Sequence, residues 1–286
     1  MDDATALALL PLFVFGFGLI IGSFLNVVIL RLPVRMEWAW RQQAREVLEL
    51  PEATGDPAPP GIVVKGSHCP KCGTAIKPWH NIPLIGFALL RGRCKACGTM
   101  ISWQYPLVEL LTGLAFLACW WKFGLSWELL WAMIFSAVLM AGAGIDFRTQ
   151  LLPDSLTLPL LWLGLLINTQ STFASPSDAV TGAAAGYLSL WSVFWLFKLL
   201  TGKEGMGYGD FKLLAALGAW MGWQSLLGII LLSSVVGAVL GGVILFLNGK
   251  DRNVPIPFGP FLAAAGWLML ILGDRLAAWQ PIFRLG

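Results

Sequence analysis

The sequence predicts an all-α polytopic membrane protein of about eight transmembrane helices, with a small polar domain inserted between helices 1 and 2. Mean hydropathy is +0.73, and 57% of the 286 residues are apolar against 12% charged. A soluble domain carries about twice that charge. Apolar stretches of roughly 20 residues recur along the chain, and each can cross the hydrocarbon core as a helix. One long polar segment, 31–103, holds ten of the nineteen Lys and Arg residues. The net charge of +3 is too small to suggest a nucleic-acid partner.

The first span, 7–30, follows Asp2 and Asp3 rather than a basic stretch, and no clear small-x-small cleavage site comes after it. It reads as a membrane helix and not as a removable signal. Residues 37–50 have helical character, with Trp38, Ala44, Val47 and Leu48 interleaved among Arg41, Arg45, Glu46 and Glu49. That pattern suits a helix lying on the membrane surface. Residues 51–61 are rich in Pro and Gly and read as a linker. Further spans follow at 104–121, 127–145, 152–168, 178–198, 211–222, 224–247 and 257–276. The sixth span, 211–222, is short, and only the turn-like Met221-Gly222-Trp223-Gln224 parts it from the next. No fixed-period repeat is evident. Gly18-x3-Gly22, Gly182-x3-Gly186 and Gly237-x3-Gly241 allow close helix contact, within one chain or between two copies.

Orientation follows from the basic residues. With eight spans, the side that holds 31–103 also receives Arg148, Lys198, Lys203, Lys212, Lys250 and Arg252. The other side receives Lys122, Arg275 and Arg284. This bias puts 31–103 in the cytoplasm and both termini outside. It also puts Asp146 and Asp210 at the cytoplasmic face, although neither entered the span count.

The polar segment contains Cys69-Pro70-Lys71-Cys72-Gly73 and Cys94-Lys95-Ala96-Cys97-Gly98. Two such knuckles suit a tetrahedral thiolate zinc site, and the glycine after each second cysteine eases the turn. Disulfides are the alternative, and a reducing cytoplasm argues against them. Four sulfur ligands leave no open position, so the zinc is expected to be structural. The small domain has too little core to fold alone, which gives the metal a purpose. The insertion is therefore expected to be a cytoplasmic zinc-binding domain held by Cys69, Cys72, Cys94 and Cys97. His68 and His80 flank the knuckles, as ligands, as supporting groups or as plain surface residues. Cys119 reads as inert packing in the second span.

A carboxylate within a bilayer costs roughly 2.5–3.5 kcal/mol on insertion scales and is seldom idle. Asp146 closes the apolar run 131–145, and Asp210 follows Gly207-Tyr208-Gly209. Each has a plain structural reading, Asp146 as a charged helix end and Asp210 as an acid at a helix N-terminus. Asp154, between Pro153 and Ser155, fits a cap of the fourth span. The glycines at 205, 207 and 209 favour a functional reading, because they let backbone approach an extended substrate. Together, Asp146 and Asp210 form a candidate acid/base dyad. Glu109 either faces the site or pairs with a neighbouring helix. Ser23 and Asn26 fit bonds between helices.

The chain resembles the type IV prepilin peptidases, membrane aspartic proteases of the GxGD kind. The resemblance runs through Gly22-Ser23-Phe24-Leu25-Asn26-Val27-Val28-Ile29 before Arg31-Leu32-Pro33, and through both knuckles. It continues in His80-Asn81-Ile82-Pro83, Leu90-Arg91-Gly92 and Tyr105-Pro106-Leu107-Val108-Glu109. It ends with the stretch 146–154, Gly207 to Asp210 with Lys212, and Pro257-Phe258-Gly259-Pro260-Phe261. Leu152 stands where the family more often has Ile. The resemblance implies that Asp146 and Asp210 are the catalytic pair. It implies prepilin or pseudopilin substrates, with a short basic leader removed on the cytoplasmic side after a Gly. It also implies methylation of the new N-terminus with S-adenosylmethionine, for which no independent motif stands here.

The expected organisation is a first membrane helix at 1–30, the zinc domain at 31–103 and a helical peptidase core at 104–286, in a bacterial inner membrane. In an aspartic dyad one carboxylate takes a proton from water while the other polarises the scissile carbonyl. Two rivals belong to other classes. An ion- or proton-coupled transporter predicts acids deep within spans. A noncatalytic scaffold predicts that both aspartates are replaceable.

Overall fold

The computed structural model describes residues 3–50, 57–63, 66–248 and 257–278. Among these the protein is helical, and it forms two compact units, Met1–Leu125 and Ser126–Gly286. The linker portion 51–56 and the basic residues Lys65, Lys250, Arg252 and Arg284 lie outside the described residues.

The first unit contains α1 (Asp3–Val47), α2 (Ile85–Leu89) and α3 (Gln104–Phe123). The helix expected over 37–50 is present, but it is not a separate surface element. It continues the first span without a break, through Pro33. Proline already has helical φ, and the carbonyl it leaves unpaired is tolerated where water or other groups can satisfy it. At 1.5 Å per residue α1 is about 68 Å long, against a hydrocarbon core of about 30 Å. Much of its second half therefore stands beyond the bilayer. Arg31 donates to the Gly61 and Gly66 carbonyls at 2.8 and 3.2 Å, and Arg35 donates to Pro59 at 2.9 Å. These bonds fold the described part of the linker back along α1.

α1 and α3 pack through glycine. A β-carbon at Gly18 would lie 2.8 Å from Gly113 Cα, and one at Gly22 would lie 2.7 Å from Glu109 Cα. Asn26 donates across the same seam to the Tyr105 carbonyl at 3.1 Å. It is the interhelical bond expected of it. Cys119 is buried, as expected.

The second unit contains α4 (Trp127–Thr149), α5 (Asp154–Ile167), α6 (Pro176–Thr201), α7 (Tyr208–Met221), α8 (Leu226–Asn248) and α9 (Gly259–Ala278). Each expected span has its helix. Five described helices are long and apolar enough to cross a membrane: α1, α3, α4, α6 and a stretch at Trp223–Leu240. α5 and α7 have 14 residues each, about 21 Å at the helical rise. α7 tolerates that shortness because protein surrounds it: Phe211 and every residue from Leu213 to Trp220 are buried. Its far end is pinned by Trp220, which donates to the Leu160 carbonyl at 2.8 Å. Asn168 donates to the Ala219 and Trp220 carbonyls.

Gly182, Gly186 and Gly237 also pack within the chain. Gly182 meets the Gly218 carbonyl, and a β-carbon at Gly186 would lie 2.6 Å from the Leu214 carbonyl. Gly237 meets the Phe261 ring. α9 runs against α4, tied by Trp267, which donates to Ser136 Oγ at 2.9 Å. That register carries the start of α9 to the end of α4.

Candidate active site and metal site

The two aspartates arrive from opposite helix ends. Asp146 is not the terminal residue expected from the hydropathy. α4 continues to Thr149 and closes on Gln150, which is left-handed (φ 56°) and donates its N–H to the Asp146 carbonyl. Asp210 is the third residue of α7, after Gly207 at the cap position. Both side chains are nearly enclosed, at 5% and 6% exposure. They lie close enough for the charge on Asp146 to act on Asp210. The Gly207 amide faces the Asp210 carboxylate, and the Gly259 amide at the start of α9 faces that of Asp146.

Asp146 Oδ2 is buried without a hydrogen-bond partner. A buried polar atom of this kind is uncommon and costly, roughly 1–3 kcal/mol and more when charged. A structural cap would have its oxygens satisfied. A β-carbon at Gly259 would lie 2.6 Å from this oxygen, so only glycine fits there without displacing the carboxylate.

Asp154 does not cap α5. The cap position belongs to Pro153. Asp154 instead accepts from Lys212 Nζ at 2.6 and 2.8 Å, joining α5 to α7 two residues along from Asp210. The sequence contained both residues but no signal that they meet across 58 positions. Gly259 was visible only as part of a motif, with no role attached. Glu109 belongs to the first unit. It accepts from the Leu84 N–H at 2.8 Å and from Ser23. It therefore anchors the loop before α2, where Leu84 has a positive φ of 59°.

The four knuckle cysteines converge. Their sulfurs all lie within 4.8 Å of one another, and the Sγ atoms of Cys69 and Cys97 are 3.8 Å apart. A tetrahedron with metal–sulfur bonds of about 2.3 Å has an edge of about 3.8 Å, so the set fits one metal ion. The cysteines are free thiols, and the cluster includes neither His68 nor His80. The Thr74 hydroxyl and amide beside Cys72 hold its thiol down to about 6, and the Cys97 and Ala96 amides lower that of Cys94.

The knuckles are copies of each other, an internal repeat not evident from a search for fixed periods. Each reads Cys-x2-Cys-Gly-Thr-x-Ile, 25 positions apart. The Cys69 N–H donates to Thr74, and the Cys94 N–H to Thr99. The Ile76 N–H donates to Ser67, and the Ile101 N–H to Gly92. Gly73 and Gly98 take matching φ values of 70° and 67°. One pair of short copies is too little to register as a period.

Two family models match this chain: the Bacterial Peptidase A24 N-terminal domain over residues 16–123, and the Type IV leader peptidase family over residues 133–242. A protein of Xanthomonas campestris named prepilin leader peptidase/N-methyltransferase is 58% identical over 261 residues, 91% of each chain. The chain belongs to the type IV leader peptidase family. Two further relatives in the family carry the same name. The one from Stutzerimonas stutzeri is 57% identical, over 91% of this chain and 90% of its own. The one from Pseudomonas aeruginosa is 54% identical, over 91% and 89%. No solved structure matches the chain. Asp146 and Asp210 both lie in the stretch matched by the leader-peptidase model, and the four cysteines lie in the stretch matched by the N-terminal model.

Proposed function

We propose that this protein is a membrane aspartic endopeptidase that removes the leader of prepilins or pseudopilins at the cytoplasmic face. In this reading it also methylates the new N-terminus. The observation that carries the protease assignment is two enclosed carboxylates close enough for the charge of one to act on the other, one of them with an oxygen that has no partner among the described residues. Membership of the family and the names of its relatives support the substrate class and the second activity.

Like charges held close share one proton. The ionised member of the Asp146–Asp210 pair takes a proton from water, and the protonated member donates to the scissile carbonyl oxygen. Water attacks the carbonyl carbon, and no covalent enzyme intermediate forms. The proton gained from water then passes to the leaving amine. Enclosure by α4, α7 and α9 strengthens these interactions by excluding solvent. The pair titrates as a unit, so neither aspartate is assigned as the first base.

Zinc is the proposed occupant of Cys69, Cys72, Cys94 and Cys97, in a structural role. It supplies cross-linking of the insertion and no step of the hydrolysis. S-adenosylmethionine is the proposed methyl donor. A cavity of about 410 Å³ is lined by Trp127, Glu128, Trp131, Gln170, Ser171 and Thr172. It lies about 28 Å along α4 from Asp146 by helical rise. That does not suit a donor that must meet the peptide end made at the dyad, so no methyl-transfer step is drawn through it.

The basic-residue bias supports an inner-membrane protein with the zinc domain and the dyad on the cytoplasmic side and both termini outside. The lipid contact is the apolar outer surface of the helices. The proposed organisation remains a first membrane segment at 1–30, an insertion at 31–103 into which α1 continues as far as Val47, and a core at 104–286. The transporter reading is disfavoured because both acids sit in terminal turns. The test is intact-mass analysis of candidate prepilins incubated with the purified protein. Loss of the leader is expected, with a further gain of one methyl, about 14 Da, when S-adenosylmethionine is present. An unchanged prepilin mass across a panel of prepilins and pseudopilins would refute the protease.

A further inference from the structure

Leu152 lies in the short connection between α4 and α5, and its side chain reaches three helices. A β-carbon at Gly209 would lie 2.6 Å from Leu152 Cβ. One at Gly259 would lie 2.8 Å from its Cδ1, and one at Gly142 would lie 3.4 Å from its Cδ2. These glycines are not scattered. Gly142 is one helical turn before Asp146, on the same face of α4. Gly209 immediately precedes Asp210. Gly259 abuts Asp146 Oδ2. One leucine thus touches the backbone that carries each acid and the backbone that confronts one of them.

We propose that Leu152 is a positioning residue: a wedge that sets the separation of Asp146 and Asp210. The proposal rests on the dyad reading above. Interiors are packed closely enough that removing a side chain lets its neighbours move or leaves a void. Here the neighbours are glycine backbone with no side chains of their own to fill the gap. Leu152 donates and accepts nothing through its side chain, so its influence on chemistry runs through spacing alone. It is half-buried.

The experiment compares Leu152→Ala, Leu152→Ile and wild type in detergent, measuring kcat, KM and the pH dependence of kcat. The electrostatic coupling of two carboxylates sets the gap between the limbs of the pH profile. Leu152→Ala is expected to lower kcat by about 10²-fold, the scale of a 1 Å misplacement, with KM within about threefold. The gap between the limbs is expected to change. Leu152→Ile nearly conserves volume and is expected to restore both kcat and the gap. The charged residues on the turns that carry the site, Arg148, Asp154 and Lys212, are the same in all three proteins. A fall in kcat with an unchanged gap, or a kcat within twofold of wild type, overturns the wedge. If Leu152→Ala does not fold, Leu152→Val carries the same comparison. Parallel assays of Asp146→Asn and Asp210→Asn separate the two levels: activity in either sinks the dyad, whereas inactivity in both with normal Leu152→Ala sinks only the wedge.

Discussion

Asp146 and Asp210 are spent from the membrane's most costly residue type, and the unsatisfied Asp146 Oδ2 shows that packing alone does not account for the cost. Asp→Asn keeps volume and shape and removes the ionisable proton. Asp146→Asn and Asp210→Asn are each expected to lower prepilin cleavage by at least about 10²–10⁴-fold, the usual worth of general acid–base help. The double variant should be little worse than either single one, because members of a unit are not additive. Normal cleavage by a stably inserted Asp210→Asn protein would overturn the assignment. Asp154→Asn is a contrasting case. Its partner Lys212 is 2.6 Å away, but the two side chains are 56% and 27% exposed. Pairs of that kind contribute about 0–1 kcal/mol. The expected loss is under about tenfold, growing smaller at high salt, and a larger loss in the same assay would promote this pair to the site itself. Both acids were legible in sequence, because a carboxylate at the edge of an apolar run stands out. What encloses them was not. Leu152 and Gly259 reach the acids through tertiary packing, which has no period along the chain.

At the scale of elements, the helices follow hydropathy while their limits follow local chemistry. α4 overran its expected end because Asp146 is tolerated inside the last turn, and a left-handed Gln150 stops the helix. α1 overran because the backbone freed at Pro33 can be satisfied by water at the bilayer edge, so the helix continues through it. The small-x3-small pairs were legible as contacts but not as partners, since glycine spacing does not say which helix arrives. Gly186→Val tests the α6–α7 seam. A β-carbon there already falls 2.6 Å from the Leu214 carbonyl, and backbone cannot rotate away. A destabilisation of about 1–3 kcal/mol is expected from overpacking, read as a lower thermal midpoint in detergent. Unchanged stability would mean that the seam is looser than described. Cys72→Ser tests the knuckles. It should reduce bound zinc from one per chain towards none and expose 57–103 to proteolysis, while the membrane helices remain intact. Elemental analysis finding no zinc in the unmodified protein would remove the metal. Because all four ligands are sulfur, chelation should loosen the insertion without directly stopping hydrolysis.

For the whole molecule, the decisive quantity is the parity of the spans. Among the described residues eight apolar helices follow in the expected order, but α5, α7 and the described stretch Gly259–Gly273 of α9 are too short to be recognised as spans by length and composition. Charge agrees with eight crossings but does not by itself fix the parity. Sixteen basic residues fall on one side and three on the other when all eight helices cross, and positive charge is retained in the cytoplasm. If α7 turned back without crossing, Asp210 would still stand at its entry, but α8 and α9 would be inverted. Lys250 and Arg252 would then leave the cytoplasmic side while Arg275 and Arg284 joined it, so the count would again be sixteen against three. Fusions of a cytoplasmically active and a periplasmically active reporter distinguish the cases. After Trp103 the cytoplasmic reporter should be active, and after Gly286 the periplasmic one. A cytoplasmic result at Gly286 means an odd number of spans, with α7 the first element to re-examine. The chemistry depends on this outcome less than the topology does, because a helix of α7's length, walled by α5, α6 and α9, presents Asp210 from its first turn whether or not its far end reaches water.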